Sequence, residues 1–303
     1  MRLDRRSFMQ QSAATFALAG LAHPALARIT IAEMTLDVVS DGHLELPGSF
    51  AFEGLPKDDL MPVLQALGQP YDPLTPPCNL SLLRGNGRTV LFDTGAGSAF
   101  MPSAGKLPDT LDALGVAPEE ITDVVFTHGH PDHLWGVLDD FDDPLFANAS
   151  YHMGQEEWAH WTDPNTVSTI GSARQSFAVG AARRLEVIAE RTQFFTDGAE
   201  VLPGVGARLT AGHTPGHMSF EVRAGNSAAM IVGDAIGNDH IALARPSWEV
   251  PSDQNPQQAA RTRVGLIGDL AASQMPIVGF HLGQGGMGRI DKSAEGYAFI
   301  PVA

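Results

Sequence analysis

Cysteine is all but missing from this 303-residue chain, and the single Cys78 excludes an intramolecular disulfide. With no base near it in the sequence, Cys78 reads as a small buried apolar residue and not as a nucleophile. Positive charge is also scarce: 19 Lys and Arg face 35 Asp and Glu, for a formal net charge of −16. A chain of that sign has nothing resembling the basic groove that nucleic acid requires, and anionic membrane is an equally poor partner. Internal repeats, low-complexity tracts and Ser/Gly linkers are absent, so nothing divides residues 28–303 and one domain is expected. What the chain has in quantity is glycine (32) and proline (21), which suits an α/β protein with many tight loops.

The first 27 residues read as a transport signal. Arg5-Arg6-Ser7-Phe8-Met9 is a twin-arginine pattern, Ala13 to Leu21 is a short apolar run, and Ala25-Leu26-Ala27 supplies an A-x-A cleavage site. The apolar run falls short of the roughly 20 residues needed to cross a bilayer, so no stable membrane insertion is expected. The pattern resembles a Tat signal. It implies a precursor that engages the Tat export machinery and a mature chain, from about Arg28, that is periplasmic or secreted.

Chemistry concentrates at Val124-Val125-Phe126-Thr127-His128-Gly129-His130-Pro131-Asp132-His133. A short buried strand, Ile121 to Phe126, runs into a loop punctuated by Gly and Pro that carries three histidines and an aspartate. Four metal-ligating side chains within six residues cannot share one face of a strand or helix. On a loop they can fan out around a point, and H-x-H-x-D-H has room for more than one ion. Imidazoles suit zinc, and the carboxylate widens the choice to iron or manganese. Three more stretches repeat the grammar of an apolar strand ending in a ligand. They are Ala211-Gly212-His213-Thr214-Pro215-Gly216-His217, Met230-Ile231-Val232-Gly233-Asp234 and Ile277-Val278-Gly279-Phe280-His281. Groups at strand ends of an open α/β sheet converge on one crevice.

Together these residues resemble the metallo-β-lactamase superfamily, whose pattern of H-x-H-x-D-H, a distant His, an Asp and a final His is matched at all seven positions. The resemblance covers about Ile29 to the C-terminus and implies an α/β fold, the four-layer αβ/βα sandwich, with the site at one edge. It implies that His128, His130 and His213 bind one metal, that Asp132, His133 and His281 bind a second, and that Asp234 bridges both. Asp93 matches the family's aspartate behind the site and would orient ligands; His217 is expected to stabilise its turn. Ser40-Asp41-Gly42, Phe92-Asp93-Thr94-Gly95-Ala96 and Gly296 to Val302 are similar to methyl parathion hydrolase and its exported relatives. One stretch departs from them: Leu282-Gly283-Gln284-Gly285-Gly286-Met287-Gly288 stands where those relatives carry a turn rich in proline and phenylalanine.

The activity implied is that of a dinuclear metal-dependent hydrolase acting on a small ester, lactone or phosphotriester through a hydroxide shared by two divalent ions. Zinc is the first choice of ion, with manganese, iron and cobalt as alternatives. Asp132 and Asp234 are the catalytic candidates, Asp132 as a proton shuttle to the leaving group. The rival readings on the same fold are a mononuclear iron sulfur dioxygenase and a β-lactamase or thioester hydrolase. The partner expected is a small-molecule substrate, with a homodimer left open.

Elsewhere the pattern predicts two strands between Ile29 and Leu46 that turn at Ser40-Asp41-Gly42, and a long loop from Phe50 to Pro77 with one helical turn around Leu60 to Leu67. A hairpin crosses Gly85-Asn86-Gly87, a helix covers Leu107 to Leu114, and a strand with turns covers Phe194 to Val205. An amphipathic helix from Ala173 to Ile188 buries Phe177, Ala181, Leu185 and Ile188 and leaves Arg184 off the stripe. Trp135, Trp158, Trp161 and His240 are open between pocket wall and core, and the one-turn spacing of Trp158 and Trp161 favours core.

Overall fold

Leu82-Leu83, Leu91-Phe92 and Val124-Val125 are apolar at consecutive positions, which in a strand means that both faces of the sheet are covered. The computed structural model, which describes residues 25, 27–294 and 296–302, shows how. Leu82, Leu91 and Val124 point into one apolar cluster, and Leu83, Phe92 and Val125 point into another. The Tat pattern falls among residues 1–24, outside the described residues.

The first sheet is laid down in chain order: β1 (Ala27–Ile31), β2 (Met34–His43), β3 (Pro77–Gly85), β4 (Arg88–Phe92), β5 (Asp123–Val125), β6 (Ser150–Gly154) and β7 (Thr192–Phe195). Its first four strands are antiparallel neighbours, and β4 to β7 are parallel. The second sheet runs in the opposite order, from β14 (Gly296–Pro301) through β13 (Met287–Ser293), β12 (Ile277–Gly279), β11 (Ser227–Gly233), β10 (Met218–Ala224) and β9 (Val205–Leu209) to β8 (Glu200–Leu202). Here only β11 and β12 pair in parallel.

Helices connect and cover these strands: α1 (Gly48–Phe52), α2 (Lys57–Ala66), α3 (Leu107–Ala113), α4 (Pro131–Leu134), α5 (Gln155–Thr162), α6 (Thr166–Thr169), α7 (Gln175–Ile188), α8 (Ile241–Ala244) and α9 (Pro256–Ser273). Between the sheets lie Leu36, Val38, Val90 and Phe92 from one and Val205, Phe220, Ile231 and Val278 from the other. Leu107, Leu111, Trp161, Ala181 and Leu185 cover the outer face of the first sheet. Leu266, Ile267 and Leu270 of α9 cover the second. The result is helix, sheet, sheet, helix: the four-layer αβ/βα sandwich expected from the sequence.

Three local expectations are corrected. The chain reverses at Ala32-Glu33, between Ile31 and Met34, and not at Ser40-Asp41-Gly42. That triplet lies within β2, where the pairing with β3 shifts register between Ser40 and His43. Such a bulge re-aims a strand near a site. Gly42 (φ 96°) is required there, because a Cβ would sit 2.2 Å from the Ser103 carbonyl oxygen. The buried Asp41 carboxylate accepts from the Ala96, Gly105 and Leu107 amides at 2.8, 3.1 and 2.8 Å and so gathers the loop after β4. Arg184 is buried, not exposed: its guanidinium lies 4.3 Å over the Trp135 ring and its Nε donates to the Trp135 carbonyl. Phe194 to Val205 is not one strand but the end of β7, a turn and β8, which take part in different sheets.

Candidate metal centre

Every strand that ends in a candidate ligand delivers it to the same end of the sandwich. β5 stops at Val125, and Thr127 to His130 form the loop. Pro131 then opens α4, where its fixed φ suits the first helical position. His128 and His130 therefore lie on the loop, while Asp132 and His133 lie on the first turn of the helix. His213 follows β9, Asp234 follows β11 and His281 follows β12. All seven are buried.

They gather into two adjoining groups. His130 Nδ1 lies 3.0 Å from His128 Nε2 and 2.9 Å from His213 Nε2. His133 Nε2 lies 3.5 Å from Asp132 Oδ2, and His281 Nε2 lies 3.2 Å from the same oxygen. Asp234 stands between them, with Oδ2 3.2 Å from His213 Nε2 and Oδ1 3.4 Å from His133 Nε2. His133 Nε2, Asp132 Oδ2 and Asp234 Oδ1 are buried without any hydrogen-bond partner. Orphaned polar atoms of that kind are costly unless an ion completes them. The donor set of imidazole nitrogens and carboxylate oxygens fits divalent zinc or a first-row neighbour.

The outer nitrogens are fixed from behind. His133 Nδ1 donates to Asp93 Oδ2 at 2.8 Å, and Asp93 also accepts from the Thr127 amide at 2.7 Å. His281 Nδ1 donates to the Pro77 carbonyl at 2.8 Å, and His213 Nδ1 sits 3.0 Å from Asp253, which Arg263 holds in turn. In each ring this leaves Nε2 as the inward lone pair. Both ring nitrogens of His217 are engaged by the protein, in keeping with its expected role in the turn. Its Nε2 accepts from the Asp234 amide at 2.9 Å and its Nδ1 meets Thr210 Oγ1 at 2.8 Å, which fixes the backbone that carries Asp234. Burial pulls His217 down to about 3, so it stays a neutral acceptor.

Charge within the bare cluster is shared unevenly. Burial and the neighbouring imidazoles push His128 and His130 well below the ordinary range. Against the opposing effect of burial, Asp234 raises His213 to about 9, and Asp234 with Asp132 raises His281 to about 10.

Glu157 was not foreseen, since nothing in Gln155-Glu156-Glu157-Trp158 marks it as more than the start of a helix. Fully buried, it accepts from the Gly129 amide (2.9 Å), Trp161 Nε1 (2.6 Å), Thr214 Oγ1 (2.7 Å) and the Gly216 amide (2.9 Å). One carboxylate thus ties the loop of His128 and His130 to the loop of His213. Glu157→Ala is expected to destabilise the protein by at least about 3 kcal/mol, since each orphaned buried donor costs roughly 1–3 kcal/mol. Urea unfolding of variant and parent at equal metal loading checks it.

Beside the cluster opens a cleft of about 420 Å³. His130, Asp132, His213, Asp234 and His281 form its floor, and Leu44, Leu46, Phe50, Leu74, Phe100, Phe177, Ile241 and Trp248 form much of its wall. Of the candidate wall residues only His240 lines it. Trp161 is buried on Glu157, Trp158 packs on Phe194 at 5.0 Å, and Trp135 is held between Phe100 and Arg184. All three serve the first sheet's helical layer. Phe50 and Leu74 come from the long segment between β2 and β3, which folds as α1 and α2 and caps the cleft.

A family model described as the metallo-beta-lactamase superfamily matches residues 75–273. Among solved structures, the chain is similar to the hydrolase AbOPH of the beta lactamase superfamily, at 24% identity and a TM-score of 0.83, over 91% of this chain and 97% of that one. It is also similar to AidC, a dizinc quorum-quenching lactonase, at 23% identity and a TM-score of 0.85, over 91% and 97%. A probable metal-dependent hydrolase from Staphylococcus aureus shares 18% identity with a TM-score of 0.70, over 91% and 100%. At these identities the likeness establishes the fold. No curated protein matches the chain.

Proposed function

The chain belongs to the metallo-β-lactamase superfamily, and on that premise we propose a dinuclear metal-dependent hydrolase of small, uncharged lactones or esters that carry an apolar arm. One observation carries the reading: Asp234 faces both halves of the cluster, with Oδ2 3.2 Å from His213 and 3.5 Å from His281 and Oδ1 3.4 Å from His133, on the floor of an apolar cleft. His128, His130 and His213 would hold the first ion, Asp132, His133 and His281 the second, with Asp234 shared. Two such ions, when bound, polarise the scissile carbonyl or phosphoryl oxygen and bring the pKa of water toward about 7.

The chain's own groups supply the rest. Asp93, Asp253 and the Pro77 carbonyl hold three imidazoles in the orientation that keeps Nε2 inward. Asp132 lines the cleft; with Oδ2 given to the ion, its other carboxylate oxygen would take the proton of the attacking water and pass it to the departing alcohol. Phe50, Phe100, Phe177 and Trp248 exclude water and accept the apolar arm. The turn after His281 supplies Gly283 and Gln284 to the wall instead of aromatic rings, which supports a lactone or ester over an aryl phosphotriester.

A panel of lactones, aryl esters, β-lactams and phosphotriesters, offered to protein loaded with zinc or manganese, tests the reading. Hydrolysis fastest on lactones or esters is expected; turnover confined to β-lactams, or none at all, would refute it. Trp248→Ala should raise KM for long-arm substrates about tenfold with kcat little changed, since losing part of an indole contact costs on the order of 1.5 kcal/mol. Steady-state kinetics on short- and long-arm lactones reads this directly.

Export is part of the proposal, on the strength of Arg5-Arg6-Ser7-Phe8-Met9 and the cleavage site that follows. Changing Arg5 and Arg6 together to Lys should hold the precursor in the cytoplasm. Fractionation of cells that express either form checks it, and undiminished export of the double variant would remove the Tat assignment.

A further inference from the structure

We propose that the Cys78 thiol is a ligand of the second metal, beside Asp132 and His281; this rests on the dinuclear reading above. Cys78 Sγ, a ligand atom of Asp132 and one of His281 all lie within 4.8 Å of one another, and all three residues are buried. Independently, Asp132 Oδ2 is among the buried atoms with no hydrogen-bond partner, although it faces His281 Nε2 at 3.2 Å. An oxygen left bare beside a thiol and an imidazole is what a cation would complete.

The placement of Cys78 is set by the backbone on both sides. The Pro77 carbonyl accepts from His281 Nδ1 at 2.8 Å, and the Asn79 amide donates to the Phe280 carbonyl at 2.9 Å. The Asn79 side chain adds a bond to the Leu282 carbonyl at 2.7 Å. The backbone of Cys78 is therefore clamped between two residues that both grip the turn carrying His281. Coordination would take the thiol's proton to solvent, with no change of oxidation state. It would also make the two sites unequal. Beside the shared Asp234 the first would have only nitrogen donors, whereas the second would add a soft sulfur that favours zinc or cobalt over manganese.

Cobalt(II) titration of the metal-stripped protein tests this by spectroscopy rather than by turnover. The parent should bind two equivalents and develop a sulfur-to-cobalt charge-transfer band in the near ultraviolet; Cys78→Ser and Cys78→Ala should lack the band. Both variants should hold one of the two ions at least tenfold less tightly against a competing chelator and the other ion unchanged. Two equivalents without the band in the parent would overturn the thiolate ligand alone. A plateau at one equivalent without the band would overturn it together with the dinuclear reading. Because the band is read first in the parent, the outcome stands even if a variant fails to fold.

Discussion

Asp234→Asn is expected to lower turnover by about three powers of ten, each decade corresponding to roughly 1.4 kcal/mol of lost transition-state stabilisation. The expectation follows from where the carboxylate stands. Its two oxygens face His213 at 3.2 Å and His133 at 3.4 Å, and Oδ1 has no hydrogen-bond partner. Asparagine keeps the size and also the backbone N–H that donates to His217 at 2.9 Å, so the strand end should stay in place. What is lost is the negative charge that, on the dinuclear reading, would lie between two cations, and the amide offers one oxygen where the carboxylate offers two. The more weakly held ion should leave, and the rate with it. Elemental analysis alongside lactone hydrolysis reads both effects, and a variant that keeps two ions and a near-normal rate would make Asp234 a mere strand cap.

Removing the metal should abolish turnover and lower the melting temperature by about 15 °C. An ion present at a thousand times its Kd stabilises the native state by about 4 kcal/mol, two ions by about twice that, and each kcal/mol is worth roughly 2 °C at this chain length. The stripped protein must also keep orphaned polar atoms buried at His133, Asp132 and Asp234. Reloading should depend on pH with a definite sign. His213, at about 9, and His281, at about 10, carry protons at neutral pH in the bare cluster, held there by Asp234 and Asp132 against the effect of burial. Metal must displace those protons, so apparent affinity should rise with pH up to about 9–10 and fall on the acid side. Calorimetric scans of loaded, stripped and reloaded protein, with chelator-competition titrations at several pH values, check both expectations.

The parts of this centre that were legible in the sequence are those that local chemistry writes down. His128 to His133 announce themselves because imidazoles and a carboxylate crowd a loop where β geometry ends, and His213, Asp234 and His281 repeat the same ending. The layered fold was legible through the family resemblance that the ligand pattern carries, and the apolar pairs Leu82-Leu83, Leu91-Phe92 and Val124-Val125, which require cover on both faces, agree with it. What stayed hidden depends on contacts between distant segments. Glu157 ties Gly129 to Gly216, and no spacing records a bond across 59 residues. Ser40-Asp41-Gly42 carries turn residues, but a bulge uses the same residues, and only pairing with β3 decides between them. The tryptophans stayed open between core and pocket wall for a related reason. Trp135, Trp158 and Trp161 stand near the histidines in sequence yet face the helical layer, while the cleft draws Trp248 and Phe50 from remote segments. Cys78 lies buried in the core, as its sequence suggested, but its nearness to Asp132 and His281 could not be read, because its neighbours in sequence are not its neighbours in space.

The dinuclear hydrolase reading is tested most directly by following lactone hydrolysis while metal is added stepwise to the stripped protein. Seven converging donors, with Asp234 between two groups, predict little activity after the first equivalent and a maximum at two per chain. A rate that peaks at one equivalent, or no hydrolysis at any loading, would contradict the account.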